Sequence, residues 1–455
     1  MGKSKNEWNT KVKKRAEKDA SPLKNLLRIL YHFFSDMTKW IEEMQDPRNK
    51  AYITYTQSDL VYLGLMKNLC SVESMRSMDE IFNEERCILN LGKMSGTGQL
   101  KEMPHYDTLN YYLERLSPDA LADIRTKMVR ALLRSRDFDK SRIKGKHWRV
   151  ILDGTGVFYF KERHCENCLK CEYKNADGST TTRYFHKVLE AKIVLADHIV
   201  VSLDTEFIEN ENENVSKQDC EINAAKRLLE RLKATYPRLN ICIQGDALYA
   251  AETIMGICQQ NGWKYLLTHK QNRQPTIDEA YNSLEDTDKT RVKGIGDEKG
   301  TGYFYNGVGD LAGKKQVMNI CEYRYQSQSG DGGTDEHRML WITNIHLTKG
   351  SLETIIHAGR GRWKIENEGF NTQKNILYKI QHLNSRNTNA MKNHYLLTQV
   401  ADIIMQLYLA WDNAHSTSKK QLRNMAVWIM ESFRKDPLTE EDMAWIIRRT
   451  AIYLE

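Results

Sequence analysis

Three carboxylates, far apart in the chain, stand where an acid needs a reason: Asp153, Asp246 and Glu366. Asp153 interrupts Trp-Arg-Val-Ile-Leu-Asp-Gly-Thr-Gly-Val-Phe-Tyr-Phe, an apolar, β-branched and aromatic run over 148–160. Asp246 closes the short apolar run 239–244 through Gly245. Glu366 lies in Arg-Gly-Arg-Trp-Lys-Ile-Glu-Asn-Glu-Gly-Phe-Asn-Thr-Gln-Lys, residues 360–374, among cations. An unpaired buried charge is expensive, and converging carboxylates repel one another unless a cation neutralises them. Mg²⁺ accepts carboxylate and phosphate oxygens together. Two such ions about 4 Å apart clamp the attacking and leaving oxygens of an in-line displacement. Each acid also has an ordinary use. Asp153 could open the Asp-Gly turn, Asp246 could cap a helix starting near Ala250, and Glu366 could pair with Arg362 on one helix face. As a set they point to metal-assisted chemistry on phosphate.

A second cluster has softer ligands. His164-Cys165-Glu-Asn-Cys168-Leu-Lys-Cys171 follows the first of these runs, and His186 comes later. Cys-x-x-Cys with a nearby His has the spacing of a structural zinc site. Cys165, Cys168 and His186 are the expected ligands, with His164 or Cys171 as the fourth. The alternative is a polar loop of free thiols. The other cysteines are scattered and read as core residues. Lys217-Gln218-Asp219-Cys220-Glu221 opens a helix, where its acids read as partners of the helix dipole.

The elements that must position these residues alternate in type. Residues 1–20 read as a basic disordered tail. From 21 to 145 apolar residues recur at helical spacing (Leu26, Leu27, Leu30, Phe33; Leu60, Leu63, Met66, Leu69), which predicts an all-helical domain. Arg125, Lys127, Arg130, Arg134 and Arg136 decorate its last long helix and suit DNA binding. Strands are predicted at 148–160, 187–195, 199–207, 239–244 and 263–268, with helices over 215–236 and 250–260 between the later ones. Strands joined through helices are parallel, and open α/β sheets gather ligands beyond the carboxyl ends of such strands. Residues 146–270 thus form the first part of an α/β core. A Gly-rich, β-rich insertion occupies 271–338, the core resumes over 339–390 with the Glu366 helix, and 391–455 is helical.

The chain has 455 residues, enough for several domains, and 67 Lys and Arg against 60 Asp and Glu. That mild basic excess permits nucleic acid without requiring it. Nine cysteines in such a length do not make a disulfide framework. No signal-peptide core and no membrane-length apolar run is present, so a cytoplasmic protein is expected.

Strand-Asp-Gly-Thr at 153–155, Gly-Asp-Ala-Leu-Tyr-Ala at 245–250 and Arg-Trp-Lys-Ile-Glu at 362–366 resemble the DDE transposases of bacterial insertion sequences. They are closest to the branch with a β insertion between the second Asp and the Glu. The likeness covers roughly residues 145–410. It implies an RNase H-like mixed sheet with flanking helices, two Mg²⁺ held by Asp153, Asp246 and Glu366, and cutting and joining of double-stranded DNA at inverted-repeat ends and target. It also implies phosphate contacts from Arg362, Lys364 and Lys374, and a homodimer pairing two ends. Two positions depart from the signature. Gly359 stands where a tyrosine is expected, and Gln373 where a lysine is expected, with Lys374 one later. Glu368 is therefore a rival to Glu366. A metal-dependent nuclease on the same core, or a catalytically silent DNA-binding descendant, are the competing readings.

Overall fold

The computed structural model describes residues 21–455 except 99, 272, 329–332, 364, 416–420, 449–451, 453 and 455, and except the side chains of 363 and 365–368. The basic tail and Lys364 lie outside the described residues. The chain forms two compact units, Met1–Ser135 with Asn371–Glu455, and Arg136–Phe370.

The first unit is helical. Ser21 caps Pro22–Phe33 with proline in its first turn, and a Thr56/Asp59 capping box starts Gln57–Leu69, which is buried along its whole length. The 28-residue helix Thr388–His415 packs against both, and against Tyr106–Arg115 and Pro118–Ser135. Leu422–Lys435 and Glu440–Ile447 pack on Pro22–Phe33. The sequence reading separates the C-terminal helices from the N-terminal ones. The structure packs them together, because each leaves an apolar stripe that the other covers. The expected row of cations on Pro118–Ser135 is also broken. Arg125 is buried, and Arg136 lies past the helix end with φ +64°.

The second unit carries one ten-stranded sheet, with β1 Trp148–Phe160, β2 Leu169–Lys174, β3 Thr180–Ala196, β4 Ile199–Ile208, β5 Ile241–Gly245, β6 Lys264–His269, β7 Thr290–Ile295, β8 Gly300–Tyr305, β9 Asn319–Gln328 and β10 Thr334–Thr343. β1 pairs antiparallel with β3, and β3 with β4, while β5 and β6 run parallel to β1. The order β4-β3-β1-β5-β6 with these directions is that of an RNase H-like core. The crossovers explain the parallel pairs. Helix Glu221–Thr235 joins β4 to β5 and Glu252–Gln260 joins β5 to β6. The insertion adds β9, β8 and β7 to the same sheet through β10, which runs from the end of the insertion into the resumed core and pairs with β6. β2 forms a hairpin with the first half of β3. No strand is predicted there, because its exposed alternation, Lys170, Glu172 and Lys174, carries no apolar run.

Helix Lys349–Arg360 packs Leu352, Ile355 and Ile356 into a core with Leu266, Phe304, Tyr323 and Trp341. A 3₁₀ turn, Gly361–Trp363, and a π-helical segment, Ile365–Ile376, follow it. An α-helix over this stretch is the sequence expectation. π-helical turns are rare and frequent at functional sites. Among the described residues no helix is long and apolar enough to cross a membrane.

Candidate active site and metal centres

The parallel pairing of β1 with β5 sets the two aspartates. Its last partners are Ile151 and Gln244. Continuing that register by two residues brings Asp153 level with Asp246 at the carboxyl end of β5. One carboxylate oxygen of each is used locally. The Gly154 N–H donates to Asp153 Oδ1 at 3.0 Å, and the Leu248 N–H donates to Asp246 Oδ1 at 2.8 Å in a tight turn. Burial pushes the Asp153 carboxyl up to about 6. The Arg362 charge pulls it down, while Glu221 and Asp246 push it further up.

The sequence reading makes Glu221 a partner of the helix dipole, and the structure gives it a different contact. Of the acids before that helix, Asp219 pairs with Arg227 at 2.6 Å, whereas Glu221 turns toward the sheet. It accepts from the Lys187 ammonium and from the Tyr249 hydroxyl at 2.6 Å. Nothing in the local composition separates the two acids. The glycine after Asp153 was the available signal, as the close approach described below makes clear.

The third acid belongs to a segment with clear anchors on both sides. Gln244, buried on β5 two residues before Asp246, donates to the Ala358 carbonyl at 2.7 Å. The Trp341 ring fills the space beside Gly359, where a Cβ would meet its Cε2 at 2.6 Å. A tyrosine at 359 would therefore have to displace Trp341. Arg360 is held by Glu298 of the insertion at 2.6 Å and lies over the Tyr323 and Tyr325 rings. Beyond it, Arg362 acts on Asp153, and the Phe370 ring receives the Lys192 ammonium 5.6 Å from its centroid. Lys192 pairs with Ile151 across β1 and β3, on the Asp153 side of the strand. Glu366 sits four residues from each of these anchors; its side chain and that of Glu368 lie outside the described residues. At 373, where the signature has a lysine, Gln373 is buried and donates to Gln399 at 3.0 Å and Asp402 at 2.9 Å. Lys374 is half-buried in the helical unit.

The second centre converges fully. Cys165 Sγ, Cys168 Sγ and His186 Nε2 are separated by 3.5, 3.4 and 3.6 Å. Tetrahedral zinc with bonds of about 2.0–2.3 Å gives edges of roughly 3.5–3.8 Å, so the three atoms stand as corners of such a site. The sulfur separation is far beyond a disulfide bond of about 2.0 Å. Glu209 approaches His186 Nδ1 at 3.7 Å, the second-shell placement seen behind metal-bound histidines. Burial opposes ionisation of Cys168, but the His186 hydrogen bond and the Cys165 and His164 backbone N–H groups outweigh it and lower its pKa. His164 stacks on Phe160 at 4.4 Å, and Cys171 lies on β2 opposite Arg183. Neither joins the cluster.

Among the described residues these are the only three metal-ligating side chains with ligand atoms within 4.8 Å of one another. Asp153, Asp246 and Glu221 do not form such a group of three. Their chemistry nonetheless fits a hard divalent cation: oxygen donors, and mutual repulsion that a cation would relieve.

The chain matches the family model described as transposase DDE domain over residues 144–401, more than half its length. No curated protein matches it in sequence. Among solved structures it is similar to a cryo-EM structure of the piggyBac transposase synaptic complex with hairpin DNA. The identity is 8%, over 93% of this chain and 84% of that one, with a TM-score of 0.42.

Proposed function

Since this chain belongs to the transposase DDE domain family and is thus a DNA transposase, we propose that it cuts and joins double-stranded DNA at the inverted-repeat ends of an insertion sequence and at its target. What supports this reading is the parallel register of β1 and β5, which if continued by two residues sets Asp153 level with Asp246, together with the Arg362 charge acting on Asp153. Asp153, Asp246 and Glu366 would hold two Mg²⁺ ions, which when bound supply Lewis acidity and lower the pKa of water. Glu366 is preferred to Glu368 because it lies midway between Arg362 and Phe370. Arg362 and Lys374, with Lys364, would hold DNA phosphates in register. Water attacks the phosphodiester at the element end and the phosphorus–oxygen bond breaks to leave a 3′-hydroxyl. That hydroxyl attacks a target phosphodiester and the target strand leaves as a new 3′-hydroxyl. The protein forms no covalent bond. A homodimer would pair the two ends, and nine free thiols support a reducing, cytoplasmic setting.

Asp246→Ala should abolish strand cleavage and leave DNA binding in place; a variant that still cuts would reject the assignment. Incubation of the wild type with Mg²⁺, element ends and a target plasmid should give joined products. Cut ends without joining would instead favour the nuclease reading.

The Cys165, Cys168 and His186 cluster would hold one structural Zn²⁺, clipping the loop after β1 to β3. His186 is pushed toward its protonated form by Cys168 and Glu209, against its burial. Zinc binding would therefore release a proton.

A further inference from the structure

Each of the two aspartates has a glycine beside it, Gly154 after Asp153 and Gly245 before Asp246. Neither has a positive φ, so backbone conformation does not call for glycine at either place. Space does. A Cβ at 154 would lie 2.5 Å from Glu221 Oε2 and 2.6 Å from its Cδ, and a Cβ at 245 would lie 2.7 Å from Tyr249 Cδ2. The Tyr249 ring therefore rests on the backbone next to Asp246, and the Glu221 carboxylate rests on the backbone next to Asp153. The two are joined by the Tyr249 hydroxyl, which donates to Glu221 Oε2 at 2.6 Å. The other carboxylate oxygen accepts from Lys187, whose strand partner is Gly156 of β1. Tyr249 is fully buried, and the Glu221 side chain is 17% exposed.

We propose that Tyr249, Glu221 and Lys187 form a bridge that sets the separation of Asp153 and Asp246, making Glu221 a positioning residue of the catalytic centre. This rests on the reading of those aspartates as metal ligands. β5 ends at Gly245, so beyond it no ladder hydrogen bond holds Asp246 against β1. The bridge spans that gap with a hydrogen bond to a charged acceptor, worth more than a neutral one. It also keeps a fourth carboxylate near Asp153. Lys187 offsets part of that charge, and a divalent cation would offset the rest.

The test uses the full-length protein and manganese as the probe, titrated by electron paramagnetic resonance. Tyr249→Phe removes only the hydroxyl, and Glu221→Gln keeps shape while removing charge. Each should weaken manganese binding by about tenfold or more, the usual cost of losing an outer-shell partner. Cleavage should need correspondingly more metal, while DNA binding without metal stays as in wild type. Because both variants break one bridge, the double variant should lose little more than the worse single one. Wild-type manganese affinity in both singles, or losses that multiply in the double, would overturn the bridge. So would weakened DNA binding without metal, the mark of general misfolding. Asp246→Asn separates the two readings. If it binds manganese and cleaves normally, the aspartate assignment itself falls; if it loses both while the bridge variants behave as wild type, only the bridge falls.

Discussion

Two polar centres share the β1–β3 ribbon, and they are built on opposite principles. At the Cys165 end, two sulfurs and one imidazole nitrogen already stand 3.4–3.6 Å apart, backed by Glu209. At the Asp153 end no such group of ligand atoms forms among the described residues, and the charges are mixed: Arg362 acts on Asp153 and Lys187 binds Glu221. A thiolate and an imidazolium attract each other, so Cys168 and His186 can be gathered before a metal arrives. Ionised carboxylates repel one another until a cation or a shared proton intervenes. The first centre is a clasp with three corners already set. The second carries a repulsion that a divalent cation would relieve, which would suit a site admitting DNA phosphate and metal together.

The comparison breaks most sharply at Asp153→Asn. Losing one ligand oxygen should lower cleavage by about a thousandfold or more, since metal stabilisation of the transition state is worth several kcal/mol. The same change should stabilise the metal-free protein. The Asp153 carboxyl is raised from 3.8 to about 6 on folding, chiefly by burial. The folded state then binds the proton more tightly than the unfolded one, so wild type loses stability as pH rises through this interval. The variant escapes that loss, gaining on the order of 1–3 kcal/mol at pH 7 and almost nothing near pH 4. Melting curves in a chelator at both values decide it. A variant less stable than wild type at pH 7 would remove the idea of a centre under repulsion.

Cys165→Ser should act in the reverse sense. It would lose the zinc found by metal analysis of the wild type and lose stability with it. A loss of about 3 kcal/mol, well below what isolated zinc fingers draw from their metal, lowers the melting temperature by roughly 6–12 °C in a unit of this size. Chelation should bring wild type down to the variant and leave the variant unmoved. Equal zinc in both proteins, or none in either, would end the clasp.

How far these centres were legible follows from where their information lies. Asp153 and Asp246 are each marked by an acid at the edge of an apolar run, and strand periodicity finds such places directly. The Cys-x-x-Cys pair is local, and His186 needed only the next strand. The fourth corner was misjudged because sequence proximity does not say which way a side chain turns. His164 stacks on Phe160 and Cys171 lies along β2. Glu221 reads from the sequence only as a helix-dipole partner, for a deeper reason. Its role depends on Gly154 and Tyr249, which are brought to it only by the crossover and the sheet. The π-helical stretch after Arg360 was hidden because periodicity cannot distinguish it from an α-helix over three turns.

Gln244→Ala sharpens the contrast at the third acid. It removes the bond from β5 to the Ala358 carbonyl and should cost about 1–3 kcal/mol, the range for leaving a buried partner unsatisfied. If that bond aims the π-helical segment at the aspartates, cleavage should fall more than DNA binding does. Equal losses in both would mean that Gln244 serves the core alone.

The smallest expected effect tests the departure from the family signature. Gln373 is buried and engaged with Gln399 and Asp402, so it has no route to a phosphate, while Lys374 beside it is half-buried. If the phosphate-contacting cation has moved one residue along, Lys374→Ala should weaken binding alike for all DNA sequences. The dependence of log affinity on log salt should then become shallower by about one. Gln373→Ala should leave that slope unchanged and lower stability instead, because it breaks a buried network. The opposite pattern, with the slope changing at 373 and not at 374, would return the contact to the signature position. It would also require the helical segment to sit differently when DNA is bound.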